Sequence, residues 1–219
     1  MSSDDLALLE PRLEPVPLRL GDVLIEANQP TTHVDFPEDG IASTMLVGAN
    51  GERLEVGRIG RDGMTGISVI QGVDRSPTET VVQVAGSALR THPDDLQDAM
   101  ERSASLRGLL LRFAHVSAVQ FAHSALASGR YTVQERLARS LLMSHDRRDG
   151  DDLPLTHETL SLMLGVRRSG VTEALHCLEG ARVLKASRGR VRVLDRVGLE
   201  RAAGGSYGLP EAEYRRVIG

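Results

Sequence analysis

The sequence is short of several things. Cysteine occurs once, as Cys177, in 219 residues, which excludes an internal disulfide, a Cys-ligated iron–sulfur cluster and a cysteine-based zinc knuckle. No apolar run approaches the roughly 18–20 residues needed to cross a bilayer. The N-terminal stretch MSSDDLALLEPRLEP is acidic and lacks the basic-then-apolar pattern of a secretory signal. A cytoplasmic protein with no membrane partner is the expectation. Lysine also occurs once, as Lys185, so the basic chemistry is that of arginine. Metal-ligand spacing, a phosphate-binding glycine loop and a nucleophile elbow are all missing. The expectation is a protein that is no enzyme, with no catalytic residues, no metal and no cofactor.

What is present is unevenly distributed. The net charge of −4 hides a split. Residues 1–130 hold 11 Arg against 18 Asp and Glu, and residues 131–219 hold 15 Lys and Arg against 12 acids. The basic excess concentrates in 153–201, with 9 against 5. Such a block is the footprint of a phosphate-binding module beside an acidic partner domain.

From about residue 16 to 92 the pattern is that of short strands. Val23–Ile25, Ser43–Val47, Arg53–Ile59 and Thr80–Val84 alternate with turn signals, among them Asn50-Gly51, a favoured hairpin turn. Spacing of this kind predicts a small sandwich or jelly roll. Pro93, followed by Asp94 and Asp95, suits a helix start. A helix is then predicted from Leu106 to about Ser128, ended by Gly129. Its apolar residues Leu106, Leu109, Leu110, Phe113, Val116 and Phe121 spread over more than one face, so burial on two sides is expected. A single-chain core helix is the plainer alternative. A further helix fits Val133 to about His145, with Leu137, Leu141 and Leu142 inward. Arg147–Asp152 reads as a solvated turn, Gly204–Gly208 as a linker, and Pro210–Val217 as a short helix or a loose end.

The sharpest signal lies in 155–195. Thr156 is a natural N-cap before a helix that closes at Gly165, the residue type a tight inter-helix turn needs. A second helix from about Arg167 to Glu179 turns Val171, Leu175 and Leu178 inward. Its other face carries Arg167, Arg168, Ser169, Thr172, Glu173 and His176. Val183–Leu194 then alternates as a hairpin whose tip is Arg188-Gly189-Arg190. Two helices joined by a glycine turn, the second basic at its start, describe a helix-turn-helix with a wing.

Leu155–Leu194 resembles the winged helix of the Crp/Fnr superfamily, and the order of parts along nearly the whole chain is similar. The resemblance implies an α+β fold: a cyclic-nucleotide-binding-like β-roll sensor domain at 1–105, a dimerisation helix at 106–130, a winged helix-turn-helix DNA-binding domain at 131–204 and a tail at 205–219. It implies a homodimeric regulator that reads a near-palindromic duplex and contacts RNA polymerase. Arg167, Arg168, Ser169, Thr172 and Glu173 are the expected base-reading face. Thr156, His157, Arg188 and Arg190 are the expected backbone contacts. Leu106, Leu109, Leu110, Phe113, Val116 and Phe121 are the expected dimer contacts. Ser169 and Glu173 depart from the residues many relatives carry, so the operator is expected to differ from the usual one. Arg168 can pair with guanine, and Glu173 either accepts from cytosine or pairs with a neighbouring Arg.

For the sensor, the resemblance points to Gly63, Met64, Thr65, Arg75, Ser76 and Thr78 as effector-pocket candidates. The carboxylate that holds a cyclic nucleotide's ribose is missing from this turn, so the effector is expected not to be cyclic AMP. Haem is not singled out by the spacing of His33, His92, His115 and His123. Cys177 reads as a structural thiol. The alternatives are a cyclic-nucleotide-responsive activator, for which Arg75 must face the pocket, and a module that binds protein in place of DNA.

Overall fold

A computed structural model describes residues 2–219. The chain runs α1 (Ser3–Leu9), β1 (Glu14–Leu18), β2 (Val23–Ile25), β3 (Val34–Pro37), β4 (Ile41–Val47), β5 (Arg53–Ile59), α2 (Ile67–Ile70), β6 (Thr78–Val84) and β7 (Gly86–Thr91). It continues with α3 (Pro93–Arg102), α4 (Ala104–Arg130), α5 (Val133–His145), β8 (Asp152–Leu153), α6 (His157–Leu164), α7 (Arg168–Gly180), β9 (Leu184–Ser187), β10 (Arg190–Val193), α8 (Arg196–Ala202) and α9 (Leu209–Val217).

The first seven strands form two antiparallel sheets, β1-β7-β3 and β2-β6-β4-β5. Leu18, Leu24, Ala42, Val82 and Ala88, drawn from both sheets, share one buried cluster, so the sheets close over each other as a β-roll. The Asn50-Gly51 turn joins β4 to β5, with Gly51 at φ 83°. β1 contains Pro15 and Pro17 and pairs only with β7. Prolines at alternate positions of an edge strand are tolerated because the missing N–H groups face away from the neighbour.

Leu106 and Leu110, from the start of α4, pack with Leu9, Met64, Val69 and Leu96 against the roll. Gly129 does not end this helix, which runs on to Arg130. Glycine lowers helix propensity by only about 1 kcal/mol, and the stop comes instead from extended Tyr131 and from Thr132. The Thr132 hydroxyl accepts from Glu135 N, and Glu135 Oε2 accepts from Thr132 N in a capping box that starts α5.

The third cluster joins α5, α6, α7 and the wing, with Leu137, Leu141, Leu142, Leu160, Val171, Leu175, Leu178 and Val191 all at most 1% exposed. Ile41 and Val84 of the roll belong to it as well. The two halves are also pinned by Arg58 of β5. Its guanidinium donates to Ser144 Oγ at 2.7 Å, to Ser140 Oγ at 2.9 Å and to Glu55 Oε1 at 2.6 Å, and it also donates to the Ser140 carbonyl.

The expected solvated turn at 147–152 is not one throughout. Arg147 is buried, ion-paired with Asp62 at 2.6 Å and donating to the Met143 carbonyl at 2.9 Å. Gly204–Gly208 is likewise packed. Ser206 is buried and donates to the Ala203 carbonyl, while Tyr207 OH donates to Asp146 at 2.8 Å. The tail then forms α9, which lies along α4. His115 meets Glu213 at 2.9 Å, and Tyr214 OH donates to the Asp62 carbonyl at 2.7 Å.

Candidate nucleic-acid interface

Thr156 caps α6, its hydroxyl accepting from Thr159 N at 3.0 Å. Gly165 closes α6 at φ 61°, a left-handed conformation that most side chains avoid. The turn is held by Ser161, whose hydroxyl donates to the Val166 carbonyl at 2.5 Å, and by Arg136, which donates to the Leu164 carbonyl. Arg167 is then the extended N-cap residue of α7.

With Val171, Ala174, Leu175 and Leu178 buried, α7 presents Arg168, Ser169, Glu173, His176 and Cys177 to solvent. Thr172 is half-buried. Its hydroxyl donates to the Arg168 carbonyl at 3.1 Å and lies 3.1 Å from His157 Nδ1, which fixes α6 against α7. Glu173 is in no ion pair among the described residues, so the alternative of a neighbouring Arg partner is not the arrangement found.

The wing follows. β9 and β10 pair antiparallel, and β8 adds on the far side of β10. Val191 and Val193 face inward while Arg188 and Arg190 are exposed. Glu179 of α7 accepts from Ala186 N at 2.8 Å and so fixes the hairpin to the second helix. Arg192 differs from its neighbours. It pairs with Asp152 at 2.5 Å, which holds the Asp152 carboxyl below its usual range and the guanidinium above its own. Arg167, Arg168, Arg188 and Arg190 have no ion-pair partner among the described residues. Four arginines without counter-charges, at the start of a helix and the tip of a hairpin, form a surface suited to an anionic polymer.

The sensor candidates do not converge. Ser76 and Thr78 line a pocket of about 130 Å³ between β6, α2 and α4, and their hydroxyls bond each other at 2.7 Å. Gly63 lines a different cavity. Met64 is buried in the core, and Thr65 is buried with its hydroxyl accepting from Asp35 N at 2.8 Å. Arg75 is 55% exposed and paired with Asp74 at 2.9 Å, outside the pocket. The residues that do line it at the start of α2, Gly66, Ile67 and Ser68, lie three residues later than the turn read from sequence. The pocket wall contains no charged side chain.

Of the predicted dimer contacts, Leu106, Leu110 and Val116 are buried within the chain, and Leu109, Phe113 and Phe121 are half-buried. Leu111, His115, Ala118, Ala122, Ala125 and Gly129 are exposed on α4 at alternating four- and three-residue spacing, with His115 bonded to Glu213 of α9 and the rest uncovered.

Comparison with known proteins finds likenesses to the helix-turn-helix domain and to the fold as a whole. Residues 135–202 match the family model of the Crp-like helix-turn-helix domain. No curated protein matches the sequence. The fold is similar to that of a transcriptional regulator of the Crp/Fnr family from Eubacterium rectale, with 18% identity, 93% of this chain and 95% of that one covered, and a TM-score of 0.70. It is similar to FixK2 from Bradyrhizobium japonicum, with 15% identity, coverage of 88% and 98%, and a TM-score of 0.74. It is also similar to CLP of Xanthomonas campestris, a c-di-GMP responsive global regulator, with 14% identity, coverage of 88% and 99%, and a TM-score of 0.66. The chain thus carries a Crp-like helix-turn-helix domain over 135–202, on a fold similar to that of the Eubacterium rectale regulator.

Among the described residues no helix is long and apolar enough to cross a membrane, and no cluster of His, Cys, Asp and Glu forms a metal site.

Proposed function

We propose that the protein is a sequence-specific DNA-binding transcription regulator that works as a homodimer on a near-palindromic operator. The observation that carries this reading is the exposed, unpaired Arg167–Arg168–Ser169 start of α7 beside the free wing arginines. In this reading α7 enters the major groove. Arg168 donates to guanine O6 and N7, and Glu173 accepts from a cytosine amino group. Thr156, His157, Arg188 and Arg190 hold phosphates and set the register.

The second copy joins along α4. Its exposed face is small and apolar from Ala118 to Gly129, which lets two helices approach closely, and the spacing is that of a coiled-coil seam. Two heads then read half-sites about 34 Å apart. RNA polymerase is the expected further partner if the protein activates. Cyclic AMP is not the effector in this reading, because the small β-roll pocket offers no counter-charge for a phosphate and Arg75 faces away from it.

The test is selection of sites from a random duplex library by the full chain, without added ligand, at two salt concentrations. A two-fold symmetric site is expected, with binding that weakens as salt rises. Failure to enrich any site, with or without cyclic AMP, overturns the reading in favour of a protein-binding module. Enrichment only with cyclic AMP overturns the pocket argument.

A further inference from the structure

Aromatic side chains are scarce in this chain, with three Phe, three Tyr and no Trp. Half of them, Phe113, Phe121 and Tyr214, line one cavity of about 270 Å³ between the β-roll, α4, the end of α5 and α9. The ring positions are built into the backbone. A Cβ at Gly57 would overlap Phe121 Cε1, and one at Gly63 would fall 2.5 Å from Phe113 Cζ. Any side chain at these two positions displaces a ring. Ile59 and Val116 complete an apolar floor.

The polar rim is asymmetric. Its acids are committed: Asp62 to Arg147 at 2.6 Å, Asp146 to Arg196 at 2.7 Å and to Tyr207, and Glu211 to the Gly208 amide at 2.8 Å. Its donors are not. Gln120 accepts from Arg58 N through Oε1 at 2.6 Å, and its amide nitrogen has no partner among the described residues. Arg58 lines the cavity, and its Nε is buried without a hydrogen-bond partner. Arg215, on the α9 wall, is in no ion pair among the described residues. A cavity with aromatic walls, ion-paired Asp62 and Asp146, and donors left over at Gln120, Arg58 and Arg215 selects a flat apolar ligand that brings acceptors.

We propose that this cavity binds an aromatic carboxylate. The ring lies among Phe113, Phe121 and Tyr214, the carboxylate takes the Gln120 amide and the Arg215 guanidinium, and α9 forms the outer wall. The site differs from the 130 Å³ pocket of the roll, which shares Ile59, Ile67 and Phe121 but has no charged residue. It does not depend on what the winged helix binds.

The test is titration of 2-naphthoate into the full chain by calorimetry, with the unfolding temperature followed in parallel. Saturable one-to-one binding is expected, together with a rise in unfolding temperature. Arg215→Ala, an exposed change that leaves the fold intact, should weaken binding roughly tenfold, the range for a hydrogen bond to a charged group. Gln120→Leu should do the same. A chain ending at Gly208 loses the outer wall and should bind more weakly still, whereas Thr78→Val in the smaller pocket should leave the affinity unchanged. Absence of saturable binding to the full chain overturns the proposal. So does an affinity that is unchanged in both Arg215→Ala and Gln120→Leu, or one that falls only in Thr78→Val.

Discussion

Arginine does two opposite jobs in this molecule. At the junction of the β-roll and α5, Arg58 is 2% exposed, surrounded by Glu55, Ser140 and Ser144, and Arg147 is buried against Asp62. Burial pulls the Arg58 guanidinium below its ordinary pKa, and the Glu55 carboxylate opposes that shift. On the winged helix, Arg167, Arg168, Arg188 and Arg190 stand in solvent with no carboxylate partner among the described residues. A buried cation must be fully paired or it destabilises the fold. A cation held in reserve for phosphate must not be paired, because an internal partner would have to be displaced before binding. The same residue type is therefore a structural pin where its terminal nitrogens are bonded inside the fold, and under the proposed function a recognition element where they are left open.

The largest expected effect breaks the first half of that comparison. Arg58→Met removes one member of a buried pair and strands Glu55, and should destabilise by about 3 kcal/mol or more in denaturant unfolding. A change below about 0.5 kcal/mol, the range of an ordinary surface substitution, would show that the junction is held by its apolar cluster alone. Arg168→Ala addresses the other half. It should leave unfolding unchanged within about 0.5 kcal/mol while lowering affinity for the selected operator by about 1–3 kcal/mol, with preference lost at one position per half-site. Arg188→Ala sharpens the distinction between reading and holding. Affinity should fall evenly across sequences, and the slope of log affinity against log salt should shrink by about one for each phosphate that the variant no longer neutralises.

The smallest effect concerns the seat of α9. Hydrogen bonds from Arg216 and then His115 hold the Glu213 carboxyl down to about 2. A lowered carboxylate pKa stabilises the folded state above the unfolded value, and that contribution is lost as pH falls from about 4.5 towards 2. Melting curves across that window should show a slope that Glu213→Gln reduces. An identical slope in the variant would mean that other carboxylates carry the acid sensitivity.

The two ends of the chain are not equally legible. In the winged helix the signals are local: Thr156, Gly165, the inward Val171, Leu175 and Leu178, and the alternating wing. The observed elements agree with the predicted ones to within a residue or two. Val133–His145 is legible to the residue, and the spacing of Thr132 and Glu135 that caps it is equally local. In the β-roll, β1 has no clear signature, because its prolines are acceptable only on an edge and which strand is an edge is a tertiary fact. The turn that lines the small pocket of the roll lies three residues beyond the candidates read from sequence for a related reason. Gly63 and Gly66 look alike in sequence, and only the pocket wall shows that Gly66, Ile67 and Ser68 face it.

By itself the sequence determined the α+β order of parts, the second helix of the helix-turn-helix with arginines at its start, and the wing, because caps, turns and periodicities act over short stretches of chain. Tertiary structure decided which face of α4 is left uncovered, since Leu106 and Leu110 look no different from Leu111 until the roll closes over two of them. It also decided that Arg58 and Arg147 are buried pins, that the glycine-rich tail packs back as a strap, and that three scattered aromatics meet in one cavity. Those outcomes depend on contacts between residues far apart in the chain, as between His115 and Glu213, and no local pattern encodes which distant surface will cover a given side chain.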